Sequence, residues 1–496
     1  MIKYLIFNKK SSFIYLFIIS TQIPFLEFIK HNLHQTDFIY EQSFVFLNFA
    51  TLSSLIILTY FLKIVFRKKN INFTDSFLII SSTYVLLFQH NSLKFFLLHF
   101  FKSLGFDIST INAEISLFLI LLLSVLIFFF VLKKSLFIKR FLLIFFSLYF
   151  IAISSQIFLL TNFHDHTNNI KLDNKIILND QLNKKKENVY FFILDGMQPI
   201  EDFENFYDLD QENFFKFAHS KNYKLLNNTK NFYTTTRENL SALFHMDKIF
   251  DEDKKKKYKY FYPSVFKPNV NTKLILNLEN LGYEIKWIGN IYAYCAAVNL
   301  KYCLEKKSAL FNPELYISFF KKSPFVDAIM KIGILADYDL RRSLLYENND
   351  GMGRLLKYLK KNNSNLKNKQ TFYFVHHLSP HWPYITKSNC EYTDKYPDQI
   401  NFEGYKNAYL CNLKKIREII NYLNLNDPNA SVVFQADHNW DMSSLSEQKY
   451  GNRKSIFNLI KIDKTCKNDD NVNLNNVNTL ILFFSCLTGN DIKFVD

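Results

Sequence analysis

At 496 residues, 49% of them hydrophobic, the chain is long enough for two domains and a large buried core. Its formal charge of +15 does not signal nucleic acid, because the lysines are scattered among asparagines and no basic helix with interleaved aromatics stands out. All six cysteines lie beyond residue 290 and none forms a C-x-x-C pair, which excludes a zinc knuckle and fits disulfides in an exported domain.

The first 160 residues are rich in Phe, Leu, Ile and Ser and hold five apolar segments, 11–29, 43–62, 75–90, 115–132 and 141–160. A helix needs about 20 apolar residues to cross the hydrocarbon core, so five membrane spans are expected. The fourth, ISLFLILLLSVLIFFFVL, carries no charge after Glu114, whereas Gln89, His90 and Asn91 interrupt the third. The first is too polar at its far end for a cleaved signal, and no small-residue cleavage site follows it. Lys3, Lys9 and Lys10 precede the first segment, Lys63, Arg67, Lys68 and Lys69 follow the second, and Lys133, Lys134, Lys139 and Arg140 separate the last two. The alternate loops hold only Lys30, Lys94 and Lys102. This bias puts the N terminus inside and, after five spans, everything beyond Leu160 on the non-cytoplasmic side of the inner (plasma) membrane.

A polar stretch, 161–188, follows as a linker. His164 and His166 flank Asp165 there, more as a solvated juxtamembrane segment than as a metal site. From residue 189 short apolar runs alternate with helical stretches. Strands are expected at 189–196, 283–290, 371–380, 431–439 and 455–462, and helices at 237–246, 405–423 and 475–488. Strands apolar on both faces belong in a mostly parallel sheet covered by helices on each side. The organisation is thus a helical membrane bundle (1–160), the linker (161–188) and an α/β domain (189–496). Reactive groups in such sheets gather beyond the carboxyl ends of the strands. Asp195 ends the first strand, His376 and His377 end another, and Asp437 and His438 a third. Carboxylates with imidazoles suit zinc or manganese. Short loops of polar sequence between cysteines predict disulfides Cys295–Cys303 and Cys390–Cys411.

ILDG at 193–196, YTTTRENLSALFHMD at 233–247, HLSPHWPY at 377–384 and QADHN at 435–439 occur in that order. The set resembles the sulfatase-like branch of the alkaline phosphatase superfamily, in particular membrane-anchored relatives of lipoteichoic acid synthases and phosphoethanolamine transferases. That resemblance implies that Asp195, Asp437 and His438 hold one divalent metal, with a hydroxyl at the start of the following helix as both ligand and nucleophile. Thr236 fits best, Thr234 and Thr235 are its alternatives, and a mere helix cap is the bland reading of all three.

Departures narrow the activity. Thr236-Arg237-Glu238-Asn239 does not match the motif that sulfatases modify to formylglycine. Asn439 stands where the family's Asp-His motif has glycine, and Asn tolerates left-handed backbone. Two-metal members use further histidines; here His377 and His381 share that spacing and no histidine follows His438. One metal is therefore expected, with His377 and His381 as free side chains that stabilise phosphoryl oxygens or protonate a leaving group. The implied function is a membrane-bound phospho-group transferase or phosphodiesterase acting on envelope lipids or glycans. The alternatives are a sulfuric ester hydrolase and a catalytically degenerate envelope-binding protein.

Overall fold

The structure, a computed structural model, describes residues 9–31, 42–67, 72–89, 102–103, 113–132, 136–167, 187–248, 272–289, 303–304, 319, 350–362, 370–382, 384–393, 402–440, 452–462, 472–489 and 493–495. The chain divides into two compact units, Met1–Ile170 with Lys307–Asp337, and Lys171–Lys306 with Tyr338–Asp496.

In the first unit each expected apolar segment is a helix: α1 (Lys9–His31), α2 (Gln42–Val65), α3 (Phe73–Phe88), α4 (Ala113–Leu132) and α5 (Leu136–Thr167). Among the described residues two stretches are long and apolar enough to cross a membrane, Phe44–Val65 in α2 and Arg140–Leu159 in α5. The expected count of five spans is not confirmed: among the described residues two of the five helices meet this test. The physical reason is plainest at α3: its 16 residues rise about 24 Å, short of a hydrocarbon core about 30 Å thick. On α2, Val45, Phe49, Ile57, Phe61 and Ile64 are exposed, an apolar face of the kind lipid covers. The helix expected to stop at Leu160 continues to Thr167 and takes in His164 and His166, since no Pro or Gly breaks TNFHDHT. Phe319 belongs to this unit, stacked on Phe25 at 4.5 Å and packed with Phe28 and Phe44.

Among its described residues the second unit has six strands: β1 (Val189–Leu194), β2 (Lys224–Leu225), β3 (Glu284–Ile288), β4 (Thr371–His377), β5 (Ser431–Ala436) and β6 (Asn458–Lys461), in spatial order β2-β6-β5-β1-β4-β3. The pairs β3·β4, β4·β1 and β1·β5 are parallel, whereas β5·β6 and β6·β2 are antiparallel. The sheet is thus mixed rather than mostly parallel. The run read at 455–462 as another parallel strand turns back along β5, and the two-residue β2 is too short to leave a periodic signal.

Six helices flanking the sheet position the site: α6 (Ile200–Tyr207), α8 (Thr236–His245), α9 (Lys273–Asn280), α10 (Gly351–Lys361), α11 (Phe402–Asn426) and α12 (Asn476–Thr488), with α7 (Glu212–Ser220) leading to β2. Side chains alternate across a strand, so each face of the sheet builds its own core. Tyr190, Phe192, Leu194, Val375 and Phe434 pack beneath α6, α10 and α11; Phe191, Ile193, Phe372, Phe374 and Val433 pack beneath α8, α9 and α12. Phe192 stacks on Phe434 at 4.4 Å, and Trp287 on Phe374 at 4.0 Å. Burial on both faces is why these strands read as unbroken apolar runs.

Candidate active site and metal centre

Strand register brings the acidic ends together. Leu194 pairs with His377 on one side and with Ala436 on the other, so Asp195 and Asp437, one residue further, leave the sheet side by side. Gly196 follows Asp195 with φ +70°, a conformation that favours glycine, and its N–H donates to Asp437 Oδ1 at 3.0 Å. The His438 N–H donates to the same oxygen at 2.8 Å. Asp437 Oδ2 and both oxygens of Asp195 are buried with no hydrogen-bond donor.

Three imidazoles surround these carboxylates. His376 Nε2 lies 3.5 Å from Asp195 Oδ2, and His438 Nε2 lies 3.5 Å from Asp195 Oδ1 and 3.7 Å from Asp437 Oδ2. His438 Nδ1 lies 2.6 Å from the carbonyl of Asn439, and His381 Nδ1 lies 2.6 Å from that of Trp382. A carbonyl only accepts, so in both rings Nδ1 carries a proton. The His381 N–H donates to the Asp195 carbonyl at 3.0 Å, and the two rings sit 6.3 Å apart. Burial pushes Asp195 up, but His381, His376 and His438 outweigh it and hold its carboxyl below the usual range. Burial and then the charge of Asp195 push Asp437 up. One cation bound among them would relieve both carboxylates.

Thr236 opens α8, and its Oγ1 lies 3.2 Å from His438 Nε2. The cap is a different residue: the Thr235 hydroxyl accepts from the Glu238 N–H. Thr236 is buried and aimed at the cluster, at a helix N-terminus whose free N–H groups and dipole favour an anion. The Thr234 carbonyl accepts from Arg453 Nε at 2.8 Å.

Asp195, Thr236, Asp437 and His438 are thus brought together, with His381 beside them. His377 is not. Adjacent residues on β4 face opposite sides of the sheet, so His376 turns toward Asp195 while His377 turns into the core beneath α10 and α11. There its Nε2 lies 3.1 Å from Asn412 Oδ1 and its Nδ1 3.4 Å from Asp350 Oδ1. Burial pushes Asp350 up, but Lys415, 2.7 Å away, and His377 outweigh it. Asn412 donates onward to the Ser379 carbonyl at 2.7 Å, next to the cis Ser379–Pro380 bond. His377 therefore braces the turn that carries His381. Asn439 does not take a left-handed backbone. Instead its Nδ2 donates to the Asn452 carbonyl at 2.9 Å and its Oδ1 accepts from the Trp440 N–H at 2.6 Å.

His376, one of the strand-end residues singled out in the sequence but absent from the ligand set the resemblance implies, is a further ligand candidate. Its ring, Asp195 and Asp437 each offer a donor atom within 4.8 Å of one another, a grouping that fits a metal ion. Two carboxylates, a hydroxyl and imidazole nitrogens match zinc or manganese.

Fold and site together define a mixed α/β domain with a metal-type donor cluster and a helix-initial threonine at the carboxyl ends of its central strands. No family model and no curated protein matches the chain. Solved structures do. The integral membrane lipooligosaccharide phosphoethanolamine transferase A from Neisseria meningitidis is 14% identical over 92% of this chain and 89% of its own, at a TM-score of 0.39. The zinc complex of the periplasmic domain of EptC from Escherichia coli is 16% identical over 62% of this chain and 83% of its own, at 0.39. The periplasmic domain of the phosphoethanolamine transferase EptC from Campylobacter jejuni is 13% identical over 61% and 89%, also at 0.39. These structures fall in the group the motifs resemble.

Proposed function

We propose that this chain is a membrane-anchored transferase that moves a phospho-group between envelope lipids or glycans through a Thr236 intermediate, on the non-cytoplasmic side of the inner membrane. The observation that carries the proposal is the Thr236 hydroxyl, relieved of capping by Thr235 and 3.2 Å from His438 Nε2. Asp195, Asp437, His438 and the Thr236 oxygen would hold one divalent cation, with His376 beside them. Bound there, such an ion lowers the pKa of the threonine hydroxyl and draws charge from the phosphoryl oxygens.

The ionised Thr236 oxygen bonds to phosphorus as the bond from phosphorus to the donor alcohol breaks. His381 Nε2 gives that alcohol a proton. In the second half the acceptor hydroxyl gives its proton to His381, its oxygen bonds to phosphorus, and the electron pair returns to Thr236. The N–H groups at the start of α8 face the phosphoryl anion in both halves. Lipid-borne phosphoethanolamine, the group in the names of the structural neighbours, is the first to try.

The test is purified full-length protein incubated with phosphatidylethanolamine and a lipid-linked sugar acceptor. Mass spectrometry should find Thr236 carrying the phospho-group when the acceptor is withheld. Product formation with no modified threonine at any time would refute the intermediate.

A further inference from the structure

Asp437 is held at both ends. Its carboxylate accepts from Gly196 and His438 through Oδ1, leaving Oδ2 for a cation. Its carbonyl accepts two side-chain amides, Asn231 Nδ2 at 2.6 Å and Asn239 Nδ2 at 2.7 Å. Asn231, from the loop before the threonine turn, reaches the Ala436 carbonyl at 3.1 Å as well, and its Oδ1 accepts from the Asn476 N–H at the start of α12 at 3.0 Å. Asn239 does something different. Its Nδ2 also meets the carbonyls of Tyr233 and Thr235 at 2.9 and 3.1 Å, and its Oδ1 accepts from the Tyr233 N–H at 3.2 Å. One buried side chain therefore clips both sides of the threonine turn to the carbonyl of a metal-site residue.

Local needs do not explain this. Asn is a weak helix former in the body of a helix, where its amide competes with backbone bonds. The start of α8 is already closed by the Thr235 hydroxyl. What remains is the distance between the turn that carries Thr236 and the strand end that carries Asp437 and His438. Resting on the reading of Thr236 as nucleophile, we infer that Asn239 is a positioning residue that sets the Thr236 oxygen in register with the metal site.

The consequence separates metal binding from turnover. If Asn239 is altered, Asn231 still donates to the Asp437 carbonyl, and the cation donors stay in place. The threonine turn loses the Asn239 clip that joins its Tyr233 and Thr235 carbonyls to that of Asp437, and displacements near 1 Å at a reacting atom cost about 100-fold in rate.

The experiment uses full-length protein in detergent micelles, with bis(p-nitrophenyl) phosphate as the phosphodiester probe and zinc per chain measured by elemental analysis. Asn239→Asp is nearly isosteric and keeps the acceptor for the Tyr233 N–H, but sets a carboxylate oxygen where the bridging donor was; Asn239→Ala removes donor and acceptor without adding charge. Both variants should retain wild-type zinc content and KM, with kcat lowered about 100-fold in Asn239→Asp. Asn231→Ala should instead lose zinc while keeping its kcat per bound zinc. A wild-type kcat in Asn239→Asp overturns the inference, and so does a kcat loss that merely tracks loss of zinc. Thr236→Ala at full rate would bring down the nucleophile reading itself, whereas Asn239→Asp at full rate brings down only this one.

Discussion

The two neighbouring threonines at the start of α8 make opposite predictions, since one caps and the other faces the carboxylates. Thr236→Ala should abolish turnover by several orders of magnitude, as nucleophile removal does, with the melting temperature nearly unchanged. Thr235→Ala should cost about 0.5–2 kcal/mol of stability and keep the phospho-threonine chemistry. Paired melting curves and rates decide it, and an active Thr236→Ala would move the nucleophile elsewhere. Buried histidines set the response to acid. Burial holds His245, whose ring nitrogens have no hydrogen-bond partner, down to about 4, and His377 likewise to about 4. In the unfolded chain both protonate near 6.5. The unfolded state therefore binds more protons below that value, and stability present above it is lost as pH falls toward 4, by roughly 3 kcal/mol per histidine. Thermal melts between pH 7 and 4.5 should show this decline. His245→Leu should flatten it, and an unchanged slope would show that the ring is not the source.

Single contacts between elements carry much of the second unit. The expected disulfide Cys390–Cys411 is present and ties the loop after His381 to α11 across 21 positions of sequence. Closing a loop of that size contributes about 2–4 kcal/mol. Cys390→Ser should therefore lower the denaturant midpoint and loosen the loop without removing any metal-site residue. Protease cleavage confined to 384–393 is the expected signature, and identical midpoints would refute the contribution. Cys303 is also disulfide-bonded, as is Cys486; Cys295, the expected partner of Cys303, lies outside the described residues. Between β1 and β5 the Phe192–Phe434 stack is the comparable apolar tie. Phe434→Ala should cost about 3–5 kcal/mol by leaving a cavity in the core.

Across the whole molecule, eleven basic residues before or between the apolar segments against three in the alternate loops predict an inside N terminus and an exported C-terminal half. A reporter that is active only outside the cytoplasm, fused after Asp496, should be active. Activity of a cytoplasm-only reporter there would reverse the topology and remove the oxidising compartment that the disulfides need. The sequence by itself determined the division into an apolar helical part and a polar α/β part, because lipid and water select opposite compositions. It also located Asp195, Asp437 and His438, because strands buried on both faces are unbroken apolar runs and the first polar residues past them mark the sheet's carboxyl edge. Tertiary structure alone decided between His376 and His377, since neighbours on a strand differ only in which face they meet, and that depends on where α8 packs. It also separated Thr235, which caps α8, from Thr236, which faces His438; the two are identical side chains one step of helix apart. The antiparallel return of β6 and the convergence of Asn231 and Asn239 on one carbonyl were likewise beyond sequence. Each arises from segments far apart in the chain meeting in space, which no local pattern of residues encodes.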